Sequence, residues 1–352
     1  MMIATRLEIR RRTIVVGLAV GVPMSVALLY RASRGLDLGR MWEVLSNADV
    51  VHLAVALVMM SALYMLQAER WHRIARAEGK TSYCTCLAFV LCGVAVNNVV
   101  PGRPGEALRG FWLARTLSVP VSRGFGTVLV DRASDVIVLL AALLASVPFV
   151  KHPAWLWNIL VVGIVLGLLL MTGLVLAWWY ASRSRVGRAR AHMTAVNRGW
   201  LRRQLSGIVR SVAGSLSGRA FAVTIGLSAG SWLCAAFAAW LIATGLRIPL
   251  SLSEATFVTA VLNLGSVIPS SPGFIGTHQW LSVASLGLFA INRSDAFAFS
   301  VMMQAIWIVP TTLAGAAVIA VVLLKDPFHW RLDTSTGDSE SSKSLLFPLG
   351  PQ

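Results

Sequence analysis

Six ionisable residues gather in two short stretches of an otherwise apolar chain: Arg103, Glu106 and Arg109, then Asp131, Arg132 and Asp135. Glu106 and Arg109 are spaced i, i+3 and would share a helical face, as would Arg132 and Asp135, so each pair could neutralise itself. At membrane depth such groups carry a penalty of about 2.5 to 3.5 kcal/mol each on insertion scales, and several together need partners or a polar cavity. A helix beginning at Gly105-Glu106 turns its free N–H groups and positive dipole end toward the residues before it, a natural seat for an anion. Arg103 and Arg109 add planar donor forks suited to phosphate oxygens. The competing account is structural: the same pairs lock one helical segment onto the next.

A second stretch repeats the pattern. Val99-Val100-Pro101-Gly102-Arg103-Pro104-Gly105 and Val267-Ile268-Pro269-Ser270-Ser271-Pro272-Gly273 share V-[VI]-P-x-x-P-G at an offset of 269 − 101 = 168 residues. Pro101, Pro104, Pro269 and Pro272 each remove a backbone donor and break a helix. Ser270 and Ser271 offer small hydroxyl donors, and Gly273 and Gly276 allow a ligand to approach the backbone. His278 and Gln279 follow one turn later, where a structural hydrogen bond is favoured over catalysis. Together the stretches resemble a phosphate-headgroup site, with Arg103, Glu106, Arg109, Ser270, Ser271, Gly273 and Gly276 as binding candidates. The first stretch holds no Ser or His nucleophile and one carboxylate, which argues against hydrolysis. Cys84, Cys86, Cys92 and Cys234 sit in apolar segments as small buried hydrophobes, so neither a zinc site nor a disulfide framework is implied. No enzyme activity, cofactor or metal is expected.

The elements that must position these residues are set by composition. Hydrophobic residues make up 56% and charged residues 13%, well below the quarter or so typical of soluble domains. Apolar runs near the roughly 20 residues that cross a bilayer cover Thr13 to Tyr30, Val50 to Leu66, Val128 to Val150, Leu156 to Tyr180, Ala220 to Leu246 and Ala296 to Leu324. The expected fold is an all-α polytopic membrane protein with six full spans. The net charge of +16 belongs to basic clusters beside spans, where they meet lipid headgroups, so nucleic acid is not an expected partner.

Nine arginines and no acid lie between Ala181 and Arg219, which places that loop in the cytoplasm, against anionic inner-leaflet lipids. Working outward, both termini are expected inside the cytoplasmic membrane, Arg31 to Asp49 outside and Glu69 to Lys80 inside. Parity then leaves Tyr83 to Gly126 entering and leaving by one face. A re-entrant helical hairpin over residues 83–117, broken at Pro101 to Gly105, satisfies it, and a second over 255–291, broken at Pro269 to Gly273, does the same from the other side. Non-helical backbone at that depth is tolerated only inside protein or beside a wet cavity. The expected domains are a first repeat over 1–150, an inverted-topology second repeat over 151–325, and a disordered cytoplasmic tail over 326–352.

The run Asn98 to Arg109, then Val130-Asp131-Arg132-Ala133-Ser134-Asp135, then Ile268 to Gln279, resembles the membrane domain of lysylphosphatidylglycerol synthase/flippase proteins and their stand-alone relatives. Glu69-Arg70-Trp71 fits the same pattern. The resemblance implies movement of a phospholipid or polyprenyl-linked lipid between leaflets, and leaves a homo-oligomer open. It departs from the family in two ways: no aminoacyl-transferase domain follows the last span, and Gln279 stands where many relatives carry Glu. Two other readings remain at this point, a membrane lipid-phosphate enzyme and a non-transporting accessory subunit of a lipid or glycan pathway.

The topology has a direct check. On a cysteine-free background, single cysteines at Arg188 and Ser335 are expected to be shielded from an impermeant thiol reagent in intact cells, while one at Asp37 reacts. Labelling of position 188 from outside would overturn the map.

Overall fold

The computed structural model describes residues 21–100, 103–146, 148, 161, 165, 172, 207–209, 211–212, 218–266 and 270–325, and all regular structure among them is helical. In order these are α1 (21–33), α2 (Leu38–Ser46), α3 (Val50–Ala75), α4 (Tyr83–Val99), α5 (Pro104–Thr116), α6 (Val121–Ser146), α7 (Gly218–Gly245), α8 (Leu252–Gly265), α9 (Thr277–Leu286) and α10 (Arg293–Lys325). The start of the first expected span, nearly all of the fourth, most of the Arg-rich loop, the tail, and Pro101, Gly102, Val267, Ile268 and Pro269 lie outside the described residues.

Side-chain caps start the helices. The carboxylates of Asp37 and Asp49 accept from the N–H groups of Arg40 and Val51, and Ser82 accepts from Thr85. Ser251 and Glu254 close a capping box at α8. Each satisfies donors that a helix start leaves bare.

Three of the described helices are long and apolar enough to cross a membrane: α3, α7 and residues 293–322 of α10. The 26 residues of α3 rise about 39 Å at about 1.5 Å each, against about 30 Å of hydrocarbon. The span expected to stop at Leu66 runs on to Ala75, so Glu69 to Ala75 is helix rather than loop. Apolar runs end at charges because unpaired charges are costly in lipid, but Arg70 is fully buried against two aspartates and the helix carries it inward. For the same reason α6 begins at Val121 rather than Val128 and holds Asp131, Arg132 and Asp135 along its length.

The helices pack in a regular set of pairs. α3 lies along α7; α4 packs on α10, and α8 on α6; α5 packs on α4 and α6, and α9 on α8 and α10. α3 also meets α4, α6 and α10, while α7 meets α8, α6 and α10. The Asp49 N–H donates to Gly245 O at 2.8 Å, fastening the start of α3 to the end of α7. Arg40 joins Asp295 through two hydrogen bonds of 2.7 Å, holding α2 to the start of α10.

Two close approaches define the breaks. α4 and α5 touch through Gly93 and Gly105: a Cβ on Gly105 would collide with the Gly93 carbonyl. At the second break Gly276 takes φ 90° with the Ser25 carbonyl of α1 where a Cβ would stand, a conformation that favours glycine. Gly105→Ala is therefore expected to lose most of the folded, detergent-extractable protein. Gly226→Ala, where nothing lies within 4 Å of an added Cβ, should keep it. Size-exclusion chromatography of the two variants separates these outcomes.

Candidate functional site

Two features stand out among the described residues: a buried ion cluster, and a cavity lined from both breaks. The cluster is built from α3, α5, α6 and α7. Arg70 is 0% exposed; its Nε donates to Asp131 Oδ1 at 2.8 Å, its Nη1 to Asp135 Oδ1 and to Ser228 Oγ, and its Nη2 to Asp135 Oδ2 at 3.1 Å. Asp131 and Asp135 stand one turn apart on α6 and so grip the guanidinium from one face. Arg109 reaches the other oxygen of Asp131 at 2.6 Å and lies 4.6 Å over the Trp71 ring. Arg132 pairs with Asp131 at 3.2 Å, Asp135 at 3.4 Å and Glu106 at 3.7 Å. Trp232 donates to Asp135 at 2.8 Å. Arg70, Arg109 and Arg132 oppose Glu106, Asp131 and Asp135, three charges against three, so the cluster is neutral.

The cavity holds about 40 Å³, and Arg103 on its wall lies within electrostatic reach of Glu106 and Arg132 of the cluster. Its wall combines Asn98 at the end of α4, Arg103 from the first break, Ser266 and Phe274 from either side of the second, Thr277 and His278 on α9, and Gln304 and Trp307 on α10. Arg103 adopts φ 55°, the left-handed region, uncommon for a non-glycine residue. From there its Nη2 donates to Ser266 Oγ at 3.1 Å and its guanidinium sits 4.6 Å over the Phe274 ring. The first break thus reaches across to the second through one side chain.

Both helix starts are partly closed by protein. Pro104 has no N–H, and the Gly105 N–H donates to Asn97 Oδ1 at 2.7 Å. At the second start the Gly276 N–H donates to Gln279 Oε1 at 2.6 Å; Gln279 Nε2 donates to Gln304 Oε1, and Gln304 Nε2 to Gly273 O at 2.5 Å. Gln279 acts here as donor and acceptor at once, which an ionised carboxylate cannot do.

The sequence candidates therefore divide. Arg103 and Gly273 line the cavity; Arg109, Glu106, Asp131, Arg132 and Asp135 belong to the cluster. Glu106 reaches Arg132 on α6 rather than Arg109 on its own helix. Ser271 is turned to the backbone, its N–H on Ser25 Oγ at 2.7 Å and its hydroxyl on Ile275 O at 3.0 Å. Ser270 and Gly276 are not on the cavity wall. Pro104 and Pro272 each occupy the first position of a helical turn, where a missing donor is harmless. Sequence reasoning named Arg70 only within the family pattern and left it out of the charge network, although an arginine in a helix facing an Asp-x-x-x-Asp pair is a readable signal, and it missed Gln304, for which apolar surroundings left no signal.

A bundle of apolar helices fastened by a neutral, buried ion cluster is the architecture of a multi-pass membrane protein. The chain belongs to the family described as the lysylphosphatidylglycerol synthase TM region, whose profile matches residues 14–315. It is 21% identical over 310 residues to a UPF0104 membrane protein of Methanocaldococcus jannaschii, covering 82% of this chain and 89% of the relative. It is 23% identical over 337 residues to a UPF0104 membrane protein of Methanothermobacter thermautotrophicus, covering 88% and 93%. A shorter match, 29% identical over 134 residues, is to glycosyltransferase AglD of Haloferax volcanii and covers 37% of this chain and 20% of that one.

Removing one member of a buried pair strands the other, a loss of about 3 to 5 kcal/mol. Arg70→Ala is accordingly expected to abolish recovery of folded protein. Arg40→Ala, which removes a half-exposed partner of Asp295, should leave it near wild type. Equal recovery of the two variants would show that the cluster does not hold the fold together.

Proposed function

We propose that the chain is a lipid translocase of the cytoplasmic membrane, and not an enzyme. In this reading it moves a phospholipid or polyprenyl-linked lipid between leaflets, with the anionic headgroup held between the two breaks and the acyl chains left in lipid. One observation carries it: both breaks wall the same cavity, and Arg103 is the cation among the described residues of that wall. A headgroup there would meet charge and hydrogen-bond donors, while the neutral cluster beside it keeps Arg109 and Arg132 occupied with protein carboxylates.

Treating α4–α5 and α8–α9 as re-entrant hairpins of an inverted repeat is supported by packing and register. Exchanging α3 with α7, α4 with α8, α5 with α9 and α6 with α10 leaves the α3–α7 pair as it is and converts each other principal helix pair among them into another. The starts of α3 and α7 differ by 218 − 50 = 168 residues, and Pro104 and Pro272 by 272 − 104 = 168. Transporters use such repeats to place a site between two similar halves that can rock against each other.

Proteoliposomes holding the full chain are expected to translocate a fluorescent phosphatidylglycerol analogue faster than empty vesicles. Arg103→Gln should slow this by about tenfold or more, the size of one hydrogen bond to a charged group, and Arg40→Gln should not. A native rate no faster than that of empty vesicles, or an unaltered rate for Arg103→Gln, would sink the reading. Phosphate release from a polyprenyl pyrophosphate by the purified protein would replace it with an enzyme.

A further inference from the structure

His278 is 6% exposed, lines the cavity, and has no hydrogen-bond partner on either ring nitrogen. The neighbouring Thr277 hydroxyl, 1% exposed and on the same wall, has none either. A buried polar group without a partner is costly, so two side by side on a cavity wall point to something that enters and satisfies them. Other polar groups on the wall are engaged: both ends of the Gln304 amide are bonded, and Asn98 Nδ2 donates to Thr311 and Thr312. Arg103 uses one N–H on Ser266, of the five a guanidinium carries. No Asp or Glu is among the described lining residues.

We propose that His278 and Thr277 bind a hydroxyl on the headgroup of a phosphodiester lipid whose phosphate is held by Arg103. The chemistry of the wall selects this class. One cation matches the single negative charge of a phosphodiester. A neutral imidazole presents one donor and one acceptor, and a threonine hydroxyl presents both, so the pair complements a hydroxyl, which also donates and accepts. Phosphate oxygens only accept. An ammonium only donates, and without a carboxylate on the wall an aminoacyl or ethanolamine headgroup would bring in an uncompensated charge. The Trp307 ring meets His278 edge-on, centroids 6.5 Å apart at 71°, but its N–H is taken by Tyr64, so it does not answer the imidazole. The inference rests on the cavity being the headgroup site proposed above.

The test is calorimetric titration of the full chain in detergent with four probes: dihexanoyl phosphatidylglycerol, dihexanoyl phosphatidylmethanol, dihexanoyl phosphatidylethanolamine and acyl-free glycerophosphoglycerol. The hydroxylated lipid should bind about tenfold or more tighter than each of the other three, the equivalent of one or two buried hydrogen bonds. His278→Phe, which keeps a ring on Trp307, should bring phosphatidylglycerol down to the affinity of phosphatidylmethanol, and Thr277→Val supplies the same comparison if that variant does not fold. Equal native affinity for phosphatidylglycerol and phosphatidylmethanol, both weakened by Arg103→Gln, would overturn the hydroxyl assignment and leave the headgroup site standing. Tighter binding of the ethanolamine lipid would overturn it too, and equal binding of glycerophosphoglycerol would overturn the lipid source. Binding indifferent to Arg103→Gln would remove the headgroup site and this inference with it.

Discussion

Arg70 clasped between Asp131 and Asp135 is the interaction on which the rest of the structure depends. A fully buried guanidinium among apolar helices is tolerable only when its donors and its charge are both answered, and answering them takes four helices. α6 supplies the carboxylates, α7 adds Ser228 and Trp232, and α5 adds Arg109 on the remaining oxygen of Asp131. The helices cannot slide along one another without separating these partners. Lipid supplies no hydrophobic force to hold helix to helix, so polar geometry of this kind sets register where in water the burial of apolar surface would.

The breaks obey the same constraint on the backbone. Each interrupts a helix, and each answers exposed backbone groups with a neighbouring side chain: Asn97 accepts from the Gly105 N–H, Gln279 accepts from the Gly276 N–H, and Gln304 donates to the Gly273 carbonyl. These amides act as fixed caps. They also narrow what the breaks can offer a ligand, because one N–H at each helix start is already answered by protein, and Arg103 adds the charge.

Much of the fold was legible in the sequence because apolar length and proline position are local signals. Pro104 and Pro272 open helical turns, and the 168-residue offset between the two Pro-Gly stretches recurs in the helix starts at Val50 and Gly218. Charge was read less well. Glu69 and Arg70 looked like the edge of a loop because a hydropathy run stops at the first charge, whereas the carboxylates that admit Arg70 lie on another helix. The spacing of Glu106 and Arg109 suggested a pair within one helix, yet each found its counter-charge on α6. Local spacing shows which groups can meet; which of them do is decided by contacts between residues far apart in sequence.

The cluster and the cavity differ in how firmly their walls are joined. α5 is held to α6 by the Arg109–Asp131 pair at 2.6 Å and by Gly110 and Gly124, which meet so closely that a Cβ on Gly124 would strike the Gly110 carbonyl. Between the break residues described, Arg103 crosses the cavity with a single hydrogen bond to Ser266 and a stack on Phe274. An anion bound at Arg103, as proposed, would compete with that joint and leave the ion cluster intact, because the cluster's carboxylates are already balanced by its own arginines. Arg103 holds the second break by one hydrogen bond and one ring contact, whereas Asp131 and Asp135 are each answered by more than one arginine.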